Sequence, residues 1–367
     1  MRVVICGGGV IGACAAYFLR RLGVDVIVVE RTEVAAAASG KAGGFLARDW
    51  CAGTPLDALA RRSFALHAQL PGKIAGDWGH RPMSAYSGYV APDDDPRRNA
   101  PSTLDWLNDG VVIAQRIGTT ETTAIVHPKK FTSAMMNAAL AQGAELRLGR
   151  FTGIARDAGR NIVKGVGVED DVIEADAVVI AMGPWSLLAA SWMSLPALYA
   201  QGSPSILFDT GPHISADALF LDAEIYGYAT TIEVFPRPDG STYVTAFPDT
   251  TAFPTDPADV TPEPNSLDWL HRMSERLSPL FRPDKIIATQ ACFRPVTKDG
   301  LPLIGRVPQD DGLYVATGHG PWGILNAPAT GEALAELIVE GATRSVDLTP
   351  FDPARLKPLD LPRRRLP

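Results

Sequence analysis

"RVVICGGGVIGACAAYFLRRLG", residues 2–23, sets a short apolar run, a glycine cluster and a helix-patterned segment end to end. "RVVIC" (2–6) is rich in β-branched residues and reads as a strand. Gly7, Gly9 and Gly12 follow it in the pattern G-x-G-x-x-G, and Ile11, Ala15, Phe18, Leu19 and Leu22 recur at helical spacing until Gly23. In that order the first glycine makes a tight turn and the second lets backbone amides approach a pyrophosphate. The third lets the helix pack on the strand with its positive end toward phosphate. A second strand, "DVIVVE" (25–30), ends in Glu30, 18 residues after Gly12, where a carboxylate can accept hydrogen bonds from a ribose diol. The spacing predicts a dinucleotide-binding α/β unit.

The loop "AAAASGKAGGF" (35–45) bears on which dinucleotide. Its Ser39, Gly40, Gly43 and Gly44 can bring more backbone donors to a long ligand such as FAD, whereas NAD needs no such loop there. Taken alone, the loop also reads as a flexible linker, and Lys41 as either a partner for pyrophosphate or a surface lysine.

With 367 residues, 46% hydrophobic and 20% charged, the chain can bury a large core and is expected to divide in two. A net charge of -7 and the lack of a basic stripe argue against a nucleic-acid partner. The one basic cluster, "PRRRLP" (362–367), is expected to be a solvated tail. Cys6, Cys14, Cys51 and Cys292 show no CxxC spacing, so neither disulfides nor a metal site are expected. No run approaches the ~18 apolar residues of a membrane span, and no export signal opens the chain; cytoplasm is the expected location. A homo-oligomer is left open.

Strand-to-glycine-to-helix patterns recur at "HPKKFTSAMMNAALAQGAEL" (127–146), "ADAVVIAMGPWSLLAA" (175–190) and "GLYVATGHGPWGILNAPATGEALAELIVEG" (312–341). One Rossmann-like parallel sheet assembled from 1–80, 127–195 and 290–367 accounts for them. The Pro- and aromatic-rich stretches 81–126 and 196–289, with "YGYATTIEVFPRPDGSTYVTAF" (226–247), predict an antiparallel-sheet substrate domain covering it. In the last unit Gly318, Gly320 and Gly323 interrupt a loop before a helix. That helix's N-terminus suits the anion that forms across flavin N1 and O2 when a flavin accepts hydride. Pro328 lies either in its first turn or at an irregular start.

Five stretches, "VVICGGGVIGACAAYFL", "VVERTEVAAAASGKAGG", "VVIAMGPWS", "FRPVTKDGLPLIG" and "LYVATGHGPWGILNAPATG", occur in one order nearly end to end. In them the chain resembles the D-amino-acid oxidase superfamily of FAD enzymes, nearest to glycine oxidase, with sarcosine oxidase a further branch. The resemblance implies FAD rather than NAD. It places the cofactor at Gly7, Val10, Ile11, Gly12, Glu30, Arg31, Ala38, Ser39, the Ala42–Gly44 backbone, Phe151, Gly183 and the loop His319, Gly320, Pro321, Trp322, Gly323, Ile324 and Leu325. It also implies that Arg294 clamps a substrate carboxylate beside the flavin, as a planar fork suits a carboxylate.

Three departures stand out. "GHGPWG" offers Pro321 and Trp322 where glycine oxidase has a second arginine. "IEVFPR" puts Glu233 where related oxidases place a tyrosine, and strand parity decides whether it faces the cavity or water. Cys292 is in register with the cysteine that carries flavin through a thioether in the sarcosine-oxidase branch; a core thiol is the other reading. His319 either acts in catalysis or only caps backbone groups, and Trp185 and Trp322 either line the cavity or pack in the core.

The function implied is oxidation of the C–N bond of an amino acid or related amine by hydride transfer to flavin N5, with the imine hydrolysed afterwards. Oxygen or another acceptor then takes the electrons. Two alternatives are oxidation of a C–OH substrate, with Glu233 or His319 as base, and a flavoprotein with an assembly role.

Overall fold

The strand Arg2–Cys6 runs up the middle of a six-stranded sheet whose order is 303–306, 313–317, 177–180, 2–6, 25–30, 145–148. All neighbours are parallel except 303–306, which pairs antiparallel with 313–317. This computed structural model describes residues 1–92, 94–157, 161–212, 214–225, 228–246, 252–362, 364 and 366. Tyr226, Gly227 and Phe247, at the ends of the stretch expected to form a hairpin, lie outside the described residues, as do Arg363, Arg365 and Pro367 of the basic tail.

The expected strand, turn and helix appear as Arg2–Cys6, the glycine turn and the helix Val10–Arg21. Gly7 has φ +114°, and a Cβ there would stand 2.4 Å from the Ala181 carbonyl oxygen on the next parallel segment. A Cβ on Gly12 would stand 2.0 Å from the Gly7 oxygen, so the turn closes only without side chains at both positions.

A seven-stranded sheet, in the order 286–297, 198–209, 241–245, 228–236, 217–225, 84–90, 111–118, covers the open side of the first. One face packs Ile206, Phe208, Leu219, Leu221, Ile232, Val234 and Val244 against Leu270, Met273 and Leu277 of the helix Pro264–Leu277. Three differences from the sequence expectation have physical causes. The sheet is not wholly antiparallel: Asp217–Ile225 pairs parallel to Ser84–Val90, because the chain visits the six-stranded sheet between the two and returns in the same direction. The strand Ile286–Thr297 belongs to this sheet by pairing with Leu198–Asp209, although the expected boundary fell at 290. The segment after Ala177–Ile180 is not an α-helix but a 3-10 stretch, Gly183–Ser191, whose amides bond three residues back (Trp185 to Met182, 3.1 Å; Trp192 to Ala189, 2.8 Å).

The last helix, Gly323–Glu340, contains Pro328 in its interior. Proline has no N–H for the Ile324 carbonyl. His67 Nε2 stands 2.9 Å from that oxygen and, since a carbonyl only accepts, must carry the proton. Ser63 Oγ accepts from Ala329 N–H at 2.9 Å, and Arg62 forks onto Glu332 at 2.7 and 2.6 Å. One face of the helix Asp57–Gln69 therefore splints the interrupted one.

Burial lowers the His67 pKa from 6.5 to about 4, against the opposing effect of its carbonyl partners. The unfolded chain thus takes up this proton first. The stability from neutral His67 is complete above pH 6.5 and is lost as pH falls toward 4. His67→Ala should lower stability by about 1–3 kcal/mol, and by less in a Pro328→Ala background, where residue 328 regains its donor. Thermal or urea unfolding of the double-mutant cycle reads this; equal costs in both backgrounds would contradict the splint.

Candidate active site

The carboxyl ends of Arg2–Cys6, Asp25–Glu30, Ala177–Ile180 and Leu313–Thr317 open on a cavity of about 460 Å³, closed on its far side by the seven-stranded sheet. Such a crevice is the usual ligand position in an open parallel sheet. Its walls include Gly7, Gly9, Val10, Ile11, Glu30, Arg31, Ala38, Ser39, Ala42, Gly43, Gly44, Phe151, Gly183, Trp185, His319, Gly320, Pro321, Trp322, Gly323 and Ile324, together with Glu233, Cys292 and Arg294.

Five residues expected at the cofactor are not among those that line the cavity. Gly12 packs against Gly7, and a Cβ on Gly40 would stand 2.1 Å from the Ala35 oxygen. A Cβ on Gly318 would lie 2.8 Å from Thr297, and Leu325 is core. Lys41 uses its main-chain carbonyl to accept from Gln290 Nε2 at 3.1 Å.

At the nucleotide end Glu30 accepts from Gly8 N–H (2.7 Å) and Thr32 N–H (3.0 Å), which fixes its carboxylate at the strand tip. Ser39 Oγ accepts from Val10 N–H at 2.9 Å, at the positive end of the helix Val10–Arg21. Arg31 is paired with Asp256, Trp185 donates to the Pro254 carbonyl at 3.0 Å, and Pro257 lines the cavity, so the 254–257 segment lies along this end. Gly149 and Arg150 also line it; their only signal in sequence was adjacency to Phe151.

The wall is built to admit a flat, extended group closely. Gly183 and Gly320 both have φ +54°, and nothing lies within 4 Å of where a Cβ would stand on either. A buried guanidinium, Arg237, donates to the Ala42 carbonyl at 2.8 Å and holds the neighbouring loop in place. The N-terminus of the last helix enters through Gly323 and Ile324. These cradles, Glu30 and the two helix ends fit FAD. Among the described residues no His/Cys/Asp/Glu group suits a metal.

At the other end strand alternation decides what faces inward. Ile232 and Val234 go to the apolar core, so Glu233 and Phe235 turn to the cavity. Phe220 is opposite Glu233, and Thr245 is its partner on the other side. Sequence reasoning missed most of an aromatic wall here. Phe45, Trp50, Phe220 and Phe235 meet with ring centroids 4.9 to 5.5 Å apart, and Trp322 approaches Trp50 edge-on at 6.3 Å. The alternation in "IEVFP" would have tied Phe235 to the face of Glu233; Phe45 and Trp50 come from a short strand and the loop after it, far away in sequence.

Arg294, half-buried, donates from Nη2 to Ser203 Oγ at 3.3 Å. Among the described residues no carboxylate lies within 4.0 Å of it. Burial raises the Glu233 pKa, with Arg294 opposing. His319 borders the cavity but is buried, with Nε2 3.1 Å from Thr330 Oγ1, and burial drives its pKa down to about 3. The contact with Thr330 ties the loop to the last helix. Burial pushes the Cys292 thiol up, against Arg294 and Lys41.

The comparisons agree with this geometry. The DAO family, described as FAD dependent oxidoreductase, matches residues 2–337. A Schizosaccharomyces pombe protein named only as an oxidoreductase is 27% identical, with 96% of this chain and 97% of that protein covered. Glycine oxidase of Pseudomonas aeruginosa is 29% identical over 96% of this chain and 98% of its own. The crystal structure of glycine oxidase from Bacillus cereus has the same fold, with a TM-score of 0.77 at 24% identity, covering 93% of this chain and 98% of that one. The crevice with its glycine cradles, the order of its motifs and the family match lead to one statement: this chain belongs to the DAO family of FAD-dependent oxidoreductases.

Proposed function

We propose that the chain oxidises the C–N bond of an amino acid or related amine, with Arg294 as the clamp for the substrate carboxylate. The observation that carries this is a guanidinium bordering the cavity and held by Ser203, with no protein carboxylate in reach among the described residues. A permanent cation in a cavity with aromatic walls needs an anion, and a carboxylate matches its fork. The relationship to glycine oxidase of Pseudomonas aeruginosa supports an amino-acid substrate.

Bound FAD supplies the two-electron acceptor. Gly7, Gly9, Ser39 and the N-terminus of the helix Val10–Arg21 would receive its pyrophosphate, and Glu30 its ribose. The N-terminus of the helix Gly323–Glu340 would face the pyrimidine end. Arg294 then holds the substrate so that its α-carbon meets the ring, and the aromatic wall excludes water. A C–OH substrate would need a protein base; His319, held against Thr330 with a pKa of about 3, does not serve, which leaves Glu233. Flavin bleaching by hydroxy acids but not by amines would favour that reading.

Arg294→Ala should keep its FAD while flavin reduction slows on the order of 10²- to 10⁴-fold in anaerobic stopped flow. Rates like those of the wild type would refute the clamp. FAD is held without a covalent bond in this account, because burial keeps Cys292 as a thiol rather than the nucleophilic thiolate. Acid denaturation should therefore release free FAD; flavin fluorescence left on the polypeptide would establish a thioether at Cys292.

A further inference from the structure

Glu233 and Arg294 carry opposite charges on the same face of one sheet, both border the cavity, and they form no ion pair within 4.0 Å. A row of hydroxyls separates them. Thr245 Oγ1 donates to the Pro204 carbonyl at 2.6 Å, so the 3.3 Å contact between Ser203 and Thr245 has Ser203 as donor. Ser203 Oγ in turn accepts from Arg294. Every proton in the row thus points away from Arg294 and ends on a carbonyl. Glu233, directly opposite Thr245, receives none and has no hydrogen-bond partner among the described residues. A half-buried carboxylate without donors is costly, and this one stands farther from the guanidinium than an ion pair yet within its field. A cation at one end and an acceptor at the other form the complement of a zwitterion.

We propose that Glu233 receives the substrate's α-ammonium group opposite Arg294 and takes a proton from it, which makes Glu233 the base that readies the amine for oxidation. This rests on the amine-oxidation reading above. The ammonium gives one proton to the carboxylate, leaving R–NH2 and a neutral Glu233. FAD, when bound, would supply the acceptor for the Cα–H hydrogen and its electron pair, and the nitrogen lone pair that Glu233 has freed would form C=N. The iminium later takes up water to give the oxo acid and ammonium, and Glu233 returns its proton to solvent.

The surroundings suit a base. Phe220 stands opposite Glu233 on the next strand and packs against Trp50 and Phe235, and burial raises the Glu233 pKa, the direction that suits a proton acceptor. The groups facing it are Arg294, whose charge opposes the rise in the Glu233 pKa, and Tyr243, whose pKa burial pushes up to about 12. Tyr243 also feels Cys292, and both are neutral near pH 7. None of them can replace Glu233 as acceptor.

The test uses the FAD-loaded Glu233→Gln protein, with FAD content and melting temperature confirming that it folds. The probes are glycine, N-methylglycine and D-alanine. In wild type the saturating rate of anaerobic flavin reduction should stay flat from about pH 7 to pH 9, whereas in E233Q it should fall about tenfold for each unit below the amine pKa. Binding supplies a second readout through the flavin absorbance. Wild type should prefer glycine betaine, a zwitterion, to acetate; E233Q should lose that preference while acetate affinity stays within about twofold. A flat E233Q profile, an unchanged preference, or a loss confined to amino acids with a second, distal cation would overturn the assignment while leaving amine oxidation intact. Wild-type flavin that no amine reduces would instead remove the amine-oxidation reading itself.

Discussion

A guanidinium with no carboxylate within 4.0 Å among the described residues organises this cavity. Arg294 is held on the strand Ile286–Thr297 by the hydroxyl of Ser203, one strand over. It borders an enclosure whose walls include aromatic rings and glycine cradles. The seven-stranded sheet makes this tolerable because its two faces do different work. Ile206, Val234 and Val244 bury one face against a helix, and the alternation that sends them inward sends Ser203, Glu233, Thr245, Cys292 and Arg294 to the other. A slip of one residue in the strand Tyr228–Pro236 would turn Glu233 into hydrocarbon and bring Ile232 or Val234 to the cavity.

The cofactor wall depends on a second constraint, that a helix N-terminus must reach the crevice at a fixed height. Pro328 breaks the hydrogen-bond ladder of that helix only four residues after Ile324 borders the cavity. The repair comes from outside the helix, as His67 serves the Ile324 carbonyl and Ser63 receives the Ala329 amide. Packing between the helices Asp57–Gln69 and Gly323–Glu340 is thereby linked to the loop that carries His319, Gly320 and Trp322. Neither His67 nor Ser63 touches the cavity, yet both bear on its shape.

What could be read in the sequence follows from the range of the interactions concerned. The first strand-turn-helix was legible because its geometry is local: Gly7, Gly9 and Gly12 lie within one unit, and Glu30 follows at the end of the next strand. Arg294 was legible through the motif around it, while the orientation of Glu233 waited on pairing with Phe220 and Thr245. The aromatic wall was largely illegible, since Phe45, Trp50 and Phe220 meet only when distant segments converge. Gly12, Gly40, Lys41, Gly318 and Leu325 were placed at the cofactor because a motif marks a whole loop, and the spacing does not say which of its residues face the ligand and which support it. The roles of His67 and Pro328 arise from contact between two helices and leave no trace in either one alone.

The account stands on an anion being what Arg294 awaits. The most direct measurement is a titration of the FAD-loaded protein with acetate and with acetamide, its neutral isostere, followed through the flavin absorbance. The account predicts that acetate saturates a single site and perturbs the spectrum while acetamide does neither, because only the carboxylate offers the guanidinium a charge. Equal responses to both, or to neither, would contradict it.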